Sequence, residues 1–201
     1  MTDQESGAPG TWADYYNIVS GRPVREFLRH TARRFAEPGL AVDLGCGHGA
    51  ETVYLLTQGW QVLAIDQEEA AIRRLRATLA PAVQGLVETR VAAFEDIVLP
   101  AADLIWAGLS LPFCQADVLA DLLQEIQMAL NPGGRFAGDF FGPRHAWRSV
   151  DHINCHSKEQ VLALCEGLTV EYLIEEEGQQ QTAMSGLQQW HQFSVCARKE
   201  A

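Results

Sequence analysis

Short apolar runs alternate with stretches of helical period along most of this chain. Behind Pro23, whose missing N–H is harmless in a first turn, Val24, Phe27, Leu28 and Phe35 repeat at helical spacing. Gly39 ends that segment, and the apolar run Leu40–Leu44 predicts strand one. Ala50–Gln58 reads as a helix stopped by Gly59, Gln61–Ile65 as strand two, and Glu68–Leu79 as a helix with Pro81 beyond it. Val87–Ala93 and Ala102–Gly108 read as strands three and four, the latter apolar and short, as a strand covered on both faces is. Leu119, Leu122, Leu123, Ile126 and Leu130 form one stripe on a helix over Asp117–Leu130. Asn131-Pro-Gly-Gly134 is expected to end it before strand five, Arg135–Phe141. Ser157 and Gln160 have the spacing of a capping box. Two last strands are expected near Leu168–Glu175 and Trp190–Arg198, with Glu175-Glu-Glu-Gly-Gln-Gln-Gln as a solvated loop between them.

The alternation through strand five predicts a parallel sheet with helices on both faces. No helical segment separates the last two strands, so they are antiparallel neighbours, because a parallel return needs a long crossover. The expected fold is α/β: a doubly wound, seven-stranded, mostly parallel Rossmann-like sheet with the last strand antiparallel. Residues 1–12 are polar and acidic and read as a disordered lead-in, 13–36 as an N-terminal lid and helix, and 37–201 as one domain. A chain of 201 residues suffices for one full core.

Composition narrows the partners. The apolar fraction is 47%, the charged fraction 20%, and the net charge −11. An acidic chain repels phosphate backbones, so no nucleic-acid partner is expected. Arg29, Arg33 and Arg34, and Arg73, Arg74 and Arg76, read as solvated helix faces rather than a binding patch. Five scattered cysteines, an odd count, argue for free thiols and a reducing compartment. No apolar segment is long enough to span a bilayer and the N-terminus has no signal-peptide character, so a cytoplasmic protein without a membrane partner is expected. Nothing in the chain speaks to oligomeric state.

Chemistry is concentrated where strand one ends. Asp43 precedes three glycines spaced two apart, Gly45, Gly47 and Gly49, and strand two ends in a second acid, Asp66. Glycines let the backbone turn sharply and approach a ligand closely. An acid at the end of strand two is placed for ribose hydroxyls. Gly45, Gly47 and Ala50 also satisfy the looser dinucleotide pattern, but Asp43 would repel a pyrophosphate and welcome an ammonium group. The chain is also too short for a dinucleotide domain plus a substrate domain.

With its D-L-G-C-G-H-G loop, Asp66 and L-N-P-G-G-R-F, the chain resembles the class I S-adenosylmethionine-dependent methyltransferases. It is similar to the small stand-alone enzymes of the tellurite-resistance and thiopurine-methyltransferase type, from about Tyr15 to Lys199. The resemblance implies S-adenosylmethionine as cofactor. Gly45, Cys46 and Gly47 would lie against its methionine part, in a loop bounded by Asp43 and Gly49. Asp66, with Gln67 beside it, would bind the ribose; Phe94 and Glu95 would flank the adenine; Ala107, at the end of strand four, would complete the set. The family often carries an acid at the end of strand three, where this chain has Ala93, with Glu95 and Asp96 following.

Methyl transfer is an in-line displacement in which the cofactor carries the activation and the protein positions the acceptor. Four segments are candidates for that task. Tyr15 and Tyr16, with Arg22, form either a lid over the cofactor or a plain packing segment. Ser110-Leu-Pro-Phe113 resembles a broken form of the motif of amine-directed methyltransferases, and is otherwise a tight turn. Arg144, His145 and Trp147 follow strand five, as a pocket wall or an exposed loop. Trp190 and His191 open the final strand in this reading. Tyr16 and His191 are the catalytic candidates; Tyr15, Arg22, Ser110, Phe113, Arg144, His145, Trp147 and Trp190 are the substrate-binding ones. His152, Cys155 and His156 lack a four-ligand spacing, so no metal site is expected. The expected function is methylation of a small molecule, at a soft nucleophile such as a thiol or chalcogen oxyanion, or at an amine. The alternatives are a non-catalytic S-adenosylmethionine-binding protein and a methyltransferase of nucleic acid or protein.

Overall fold

The computed structural model describes residues 22–182 and 186–200. The expectations for 1–12 and for Tyr15 and Tyr16 lie outside those residues. Helix α1 (Glu26–Ala32) begins three residues after Pro23 and buries Leu28 and Thr31. Strand β1 (Leu40–Leu44), helix α2 (Ala50–Thr57), strand β2 (Gln61–Asp66) and helix α3 (Glu69–Thr78) follow as the hydrophobic pattern predicts, to within a residue or so. Then come β3 (Val87–Val91), β4 (Ala102–Ala107), α4 (Leu119–Ala129), β5 (Leu130–Phe141), α5 (Lys158–Leu164), β6 (Thr169–Thr182) and β7 (Gly186–Arg198). The Ser157–Gln160 capping box is formed, with side chain and backbone bonded in both directions.

The strands form one seven-stranded sheet in the order β3-β2-β1-β4-β5-β7-β6. Pairs from β3 to β5 are parallel; β7 runs antiparallel to both β5 and β6. This is the doubly wound, mostly parallel sheet expected, with the last strand reversed. The two-residue period of the strands sorts the core onto both faces. Val42, Leu44, Leu63 and Ile65 pack with Leu119, Leu122 and Val161 on the side of α4 and α5. Ala41, Val62, Leu104 and Trp106 pack with Leu28, Leu55 and Leu75 on the side of α1, α2 and α3. Sheet order reverses between β1 and β4, and crevices for ligands open at such a point on the carboxyl edge.

Three expectations need correction. Strand β3 stops at Val91, and Phe94–Asp96 form one 3-10 turn. The segment Asn131–Gly134 does not end the helix ahead of the strand but rides within β5 as a bulge between Leu130 and Arg135. Gly133 takes φ 80° there. Its N–H donates to the Lys199 carbonyl and the Lys199 N–H to that of Gly134, both at 2.9 Å, so the bulge closes on the chain's last strand.

The largest correction concerns the expected solvated loop at 175–181. It is strand: Glu175 pairs with Phe193 and the ladder continues to Thr182 opposite Gly186. Trp190 and His191 therefore lie inside β7 rather than at its start. Pairing of β7 with β5 ends at Phe141 opposite Gln192, so the outer part of the β6–β7 hairpin projects past the carboxyl edge as a two-stranded arm. All five cysteines are free. Among the described residues no helix is long and apolar enough to cross a membrane.

Candidate cofactor and acceptor site

The glycine loop is set by strand geometry. The N–H groups of Gly45 and Cys46 both donate to the Ile65 carbonyl at 2.9 Å, turning the chain as it leaves β1. Gly45, Gly47 and Gly49 take φ of 71°, 54° and 87°, where side chains with a Cβ are strained. Asp66 faces this loop from the end of β2. One carboxylate oxygen accepts from the Gly47 N–H at 2.8 Å and the other from the Glu68 N–H at 2.9 Å. A Cβ on Gly45 would fall 2.4 Å from that of Ser110, so the loop lies directly against the turn after β4. The Ser110 hydroxyl donates to the Leu44 carbonyl at 2.7 Å and ties the two together.

A cavity of about 560 Å³ opens above this junction. On the β2–β3 side its wall holds Gly45, Cys46, Gly47, Asp66, Gln67 and Ala92–Glu95. Arg22, Arg25 and Glu51 contribute from the N-terminal segment and α2. Across from them lie Gly108–Ser110, Phe113, Phe141, Trp147, Trp190 and Gln192. The projecting arm adds Glu176 and Gln180–Thr182. Of the expected cofactor residues, Gly45, Cys46, Gly47, Asp66, Gln67, Phe94 and Glu95 are thus brought to one wall. Arg22, Ser110, Phe113, Trp147 and Trp190 from the expected acceptor set line other sides of the same cavity.

Others are placed elsewhere. Asp43 is buried beneath the loop and accepts the Thr52 hydroxyl proton at 2.6 Å, so its carboxylate meets α2 rather than the cavity. Burial, with smaller contributions from Glu51 and Asp66, pushes its pKa up to about 7. Gly49 caps α2, where a Cβ would press within 2.4 Å of Leu75. Ala107 is buried within β4. His145 is buried and stacks on Phe141 at 3.8 Å between ring centres. Arg144 points outward, its guanidinium bonded to Glu177 at 2.6 Å and to Glu175 at 3.1 Å.

His191 is also turned away. Side chains alternate along a strand, so Trp190 and Gln192 face the cavity while His191 faces the other side. It is fully buried there, with Nδ1 accepting the Arg144 N–H at 3.1 Å and Nε2 lying 3.1 Å from Glu175. Donor atoms of Glu175, Glu177 and His191 come within 4.8 Å of one another, but the Arg144 guanidinium already sits among them. Among the described residues His152, Cys155 and His156 do not gather as a ligand set.

Several wall residues escaped the sequence reading. Leu109, Gln192 and Glu176 are among them, and Asp139, buried in β5 behind the wall, holds the first two. It accepts from the Leu109 N–H at 3.1 Å, the Gln192 amide at 3.0 Å and the Ser194 hydroxyl at 2.6 Å. Burial raises its pKa, and Arg25, 3.8 Å away, pulls against that rise. Leu109, held by this carboxylate, takes φ 52°, which is uncommon for a residue with a branched side chain. Gln192 in turn accepts the Trp190 indole N–H at 3.0 Å. An acid flanked by Phe136, Phe140 and Phe141 in a buried strand was the available signal, because a buried carboxylate needs partners. The arm residues gave no hydrophobic signal at all.

A family model described as a methyltransferase domain matches residues 42–138. The chain is 32% identical over 159 residues to a malonyl-[acyl-carrier protein] O-methyltransferase of Enterobacter lignolyticus, covering 73% of this chain and 59% of the relative. It is 32% identical over 129 residues to a carboxy-S-adenosyl-L-methionine synthase of an Enterobacter species, covering 60% and 49%. It therefore spans about half to three fifths of the length of these relatives. In structure it is similar to TehB from Haemophilus influenzae, with TM-score 0.75 and 16% identity over 94% of this chain and 68% of the other.

Proposed function

We propose that the chain is a class I S-adenosylmethionine-dependent methyltransferase and that it methylates a small molecule held against the aromatic side of the cavity. One observation carries this reading. A single cavity joins the glycine loop and Asp66 to a wall of Phe113, Phe141, Trp147 and Trp190.

The wall suits a cationic nucleoside. Asp66, Glu51 and Glu95 supply negative charge, and Arg22 and Arg25 can meet a carboxylate. Asp66 accepts the Gly47 and Glu68 N–H groups and stands on the cavity wall where ribose hydroxyls would lie. Phe94 and Glu95 would flank the adenine, with Ala93 leaving the expected strand-three acid missing. Held by the glycine loop and Asp66, S-adenosylmethionine would supply an electrophilic sulfonium methyl for the acceptor's lone pair. The rings exclude water and hold the acceptor in line. Glu176 stands opposite Gln192 in the hairpin register and is the wall carboxylate placed to take a proton from an acceptor that carries one.

The nucleophile belongs to the set expected from the chain: a thiol, a chalcogen oxyanion or an amine. The relative named for O-methylation adds a carboxylate to the panel. Release of S-adenosylhomocysteine across these acceptors tests the proposal. Turnover with at least one supports it. Tight cofactor binding with no turnover on any would favour a binding protein without catalysis. Turnover only on nucleic acid or protein would move the acceptor class.

A further inference from the structure

Resting on that reading, we infer that the acceptor is an amine that binds as a cation, its charged nitrogen held between the Glu176 carboxylate and the Trp190 ring at the arm end of the cavity. Three consecutive glutamates of β6 differ in what they meet. Side chains alternate along a strand, so Glu175 and Glu177 share the face opposite to that of Glu176. On their face Arg144 pairs with Glu175 at 3.1 Å and with Glu177 at 2.6 Å. Glu176 lines the cavity, and among the described residues its carboxylate has neither hydrogen bond nor ion pair. The arm thus neutralises its two outward glutamates and leaves the inward one unmatched.

The ladder sets an indole beside that carboxylate. Glu176 pairs with Gln192, Gly178 with Trp190 and Gln180 with Gln188. Opposed residues share a face, so Glu176 and Trp190 are diagonal neighbours on the cavity side. Such neighbours stand about 7–8 Å apart, within reach of long and aromatic side chains. Directly across from Trp190 is Gly178, where an added Cβ would meet nothing within 4 Å. The strip of β6 facing the ring is therefore bare, with Glu176 on one side of it and Gln180 on the other. The ring itself is fixed: its N–H donates to Gln192 at 3.0 Å, and it meets Phe141 edge to face at 5.4 Å between centres. An ammonium placed there gains both from the indole face and from a charge-assisted bond to the carboxylate.

Charge at this end selects among the expected acceptors. The cations of the wall are engaged elsewhere. Arg22 lies close enough to His48 of the glycine loop to add to the burial that lowers that ring's pKa. Arg25 is opposed by Glu51 at 3.9 Å and by Asp139 at 3.8 Å. Arg144 is held outward by Glu175 and Glu177. A carboxylate or a chalcogen oxyanion would therefore meet the Glu176 charge and shed its water without a cation in return. A thiol would enter neutral and gain nothing from Glu176. A quaternary ammonium has no lone pair to take a methyl group, so the amine is one that carries N–H.

The test uses the full chain saturated with S-adenosylhomocysteine, its binding confirmed first by calorimetry. Four probes are then titrated at about pH 7.5, where an alkyl amine is protonated: phenethylamine, phenethyl mercaptan, hydrocinnamate and selenite. The first three share one phenyl-ethyl body and differ in the head group. Phenethylamine should bind at least about tenfold tighter than each of the others. Glu176→Gln keeps the size of an exposed side chain and removes its charge. It should cut that advantage to within about threefold while phenethyl mercaptan and S-adenosylhomocysteine bind as before. Preference for the mercaptan, hydrocinnamate or selenite, no preference among the four, or an amine advantage that survives Glu176→Gln would overturn the inference and leave the cofactor reading intact. Failure of S-adenosylhomocysteine to bind would overturn both.

Discussion

Gly47 and Asp43 show how the same loop can be legible in one residue and misleading in the next. Gly47 sits at φ 54° on the cavity wall, with its N–H bonded to Asp66. A valine there would be β-branched in the left-handed region, a strain of about 1–3 kcal/mol, and its side chain would crowd the wall. Gly47→Val should abolish cofactor binding by calorimetry while the protein still melts cooperatively; a folded variant with normal affinity would remove the loop from the site. Asp43 was read as facing a ligand's ammonium group, but residue spacing cannot tell a wall from the layer beneath it. Its carboxyl is raised from 3.8 to about 7 by burial, so between those values the folded protein holds a proton that the unfolded chain has lost. Stability contributed by this group is present at low pH and is lost as pH rises through about 7. Urea melts at about pH 5 and about pH 7.5 should therefore show wild type losing stability relative to Asp43→Asn as pH rises. An unchanged difference would mean that Asp43 is ionised throughout. His191 was misread for a related reason. A shift of one residue turns a side chain to the opposite face of a strand, and only the pairing fixes which residues share a face.

At the scale of elements, what could be read was what burial writes into a sequence. β1, β2 and β4 are apolar because helices cover both faces, and their limits were predicted closely. The β6–β7 arm carries no such pattern, since Glu175–Gln181 is polar throughout and pairs with a strand rather than a core. Its order comes from the ladder, from a Gln179–Gln189 side-chain bond at 3.0 Å, and from Arg144 clasping Glu175 and Glu177. Asn131–Gly134 was taken as a stop because Pro and Gly are strand breakers, yet a bulge accommodates both. Arg144→Ala should speed amide hydrogen exchange across residues 175–181 and leave β1 and β4 protected. Exchange that does not change would show the arm holding itself without the clasp.

Over the whole molecule, the sheet order explains where chemistry can occur. The reversal between β1 and β4 places the loop after each strand on either side of one crevice, and the reversed β7 brings Trp190 and Gln192 to the same edge. The glycine-loop half of this crevice was visible in the sequence because glycines and acids stand at strand ends, where the backbone turns. The aromatic half was visible only in part, since Gln192 and Glu176 reach it through strand pairings between distant segments. The central claim is that this crevice takes S-adenosylmethionine and not a dinucleotide. Calorimetric titration of the full chain with S-adenosylmethionine and with NAD, repeated on Asp66→Ala, tests it most directly. The account predicts saturable binding of S-adenosylmethionine alone, weakened by about 1.5–3 kcal/mol when the Asp66 carboxylate is removed. Binding of NAD without S-adenosylmethionine, or an affinity for S-adenosylmethionine indifferent to Asp66→Ala, would contradict it.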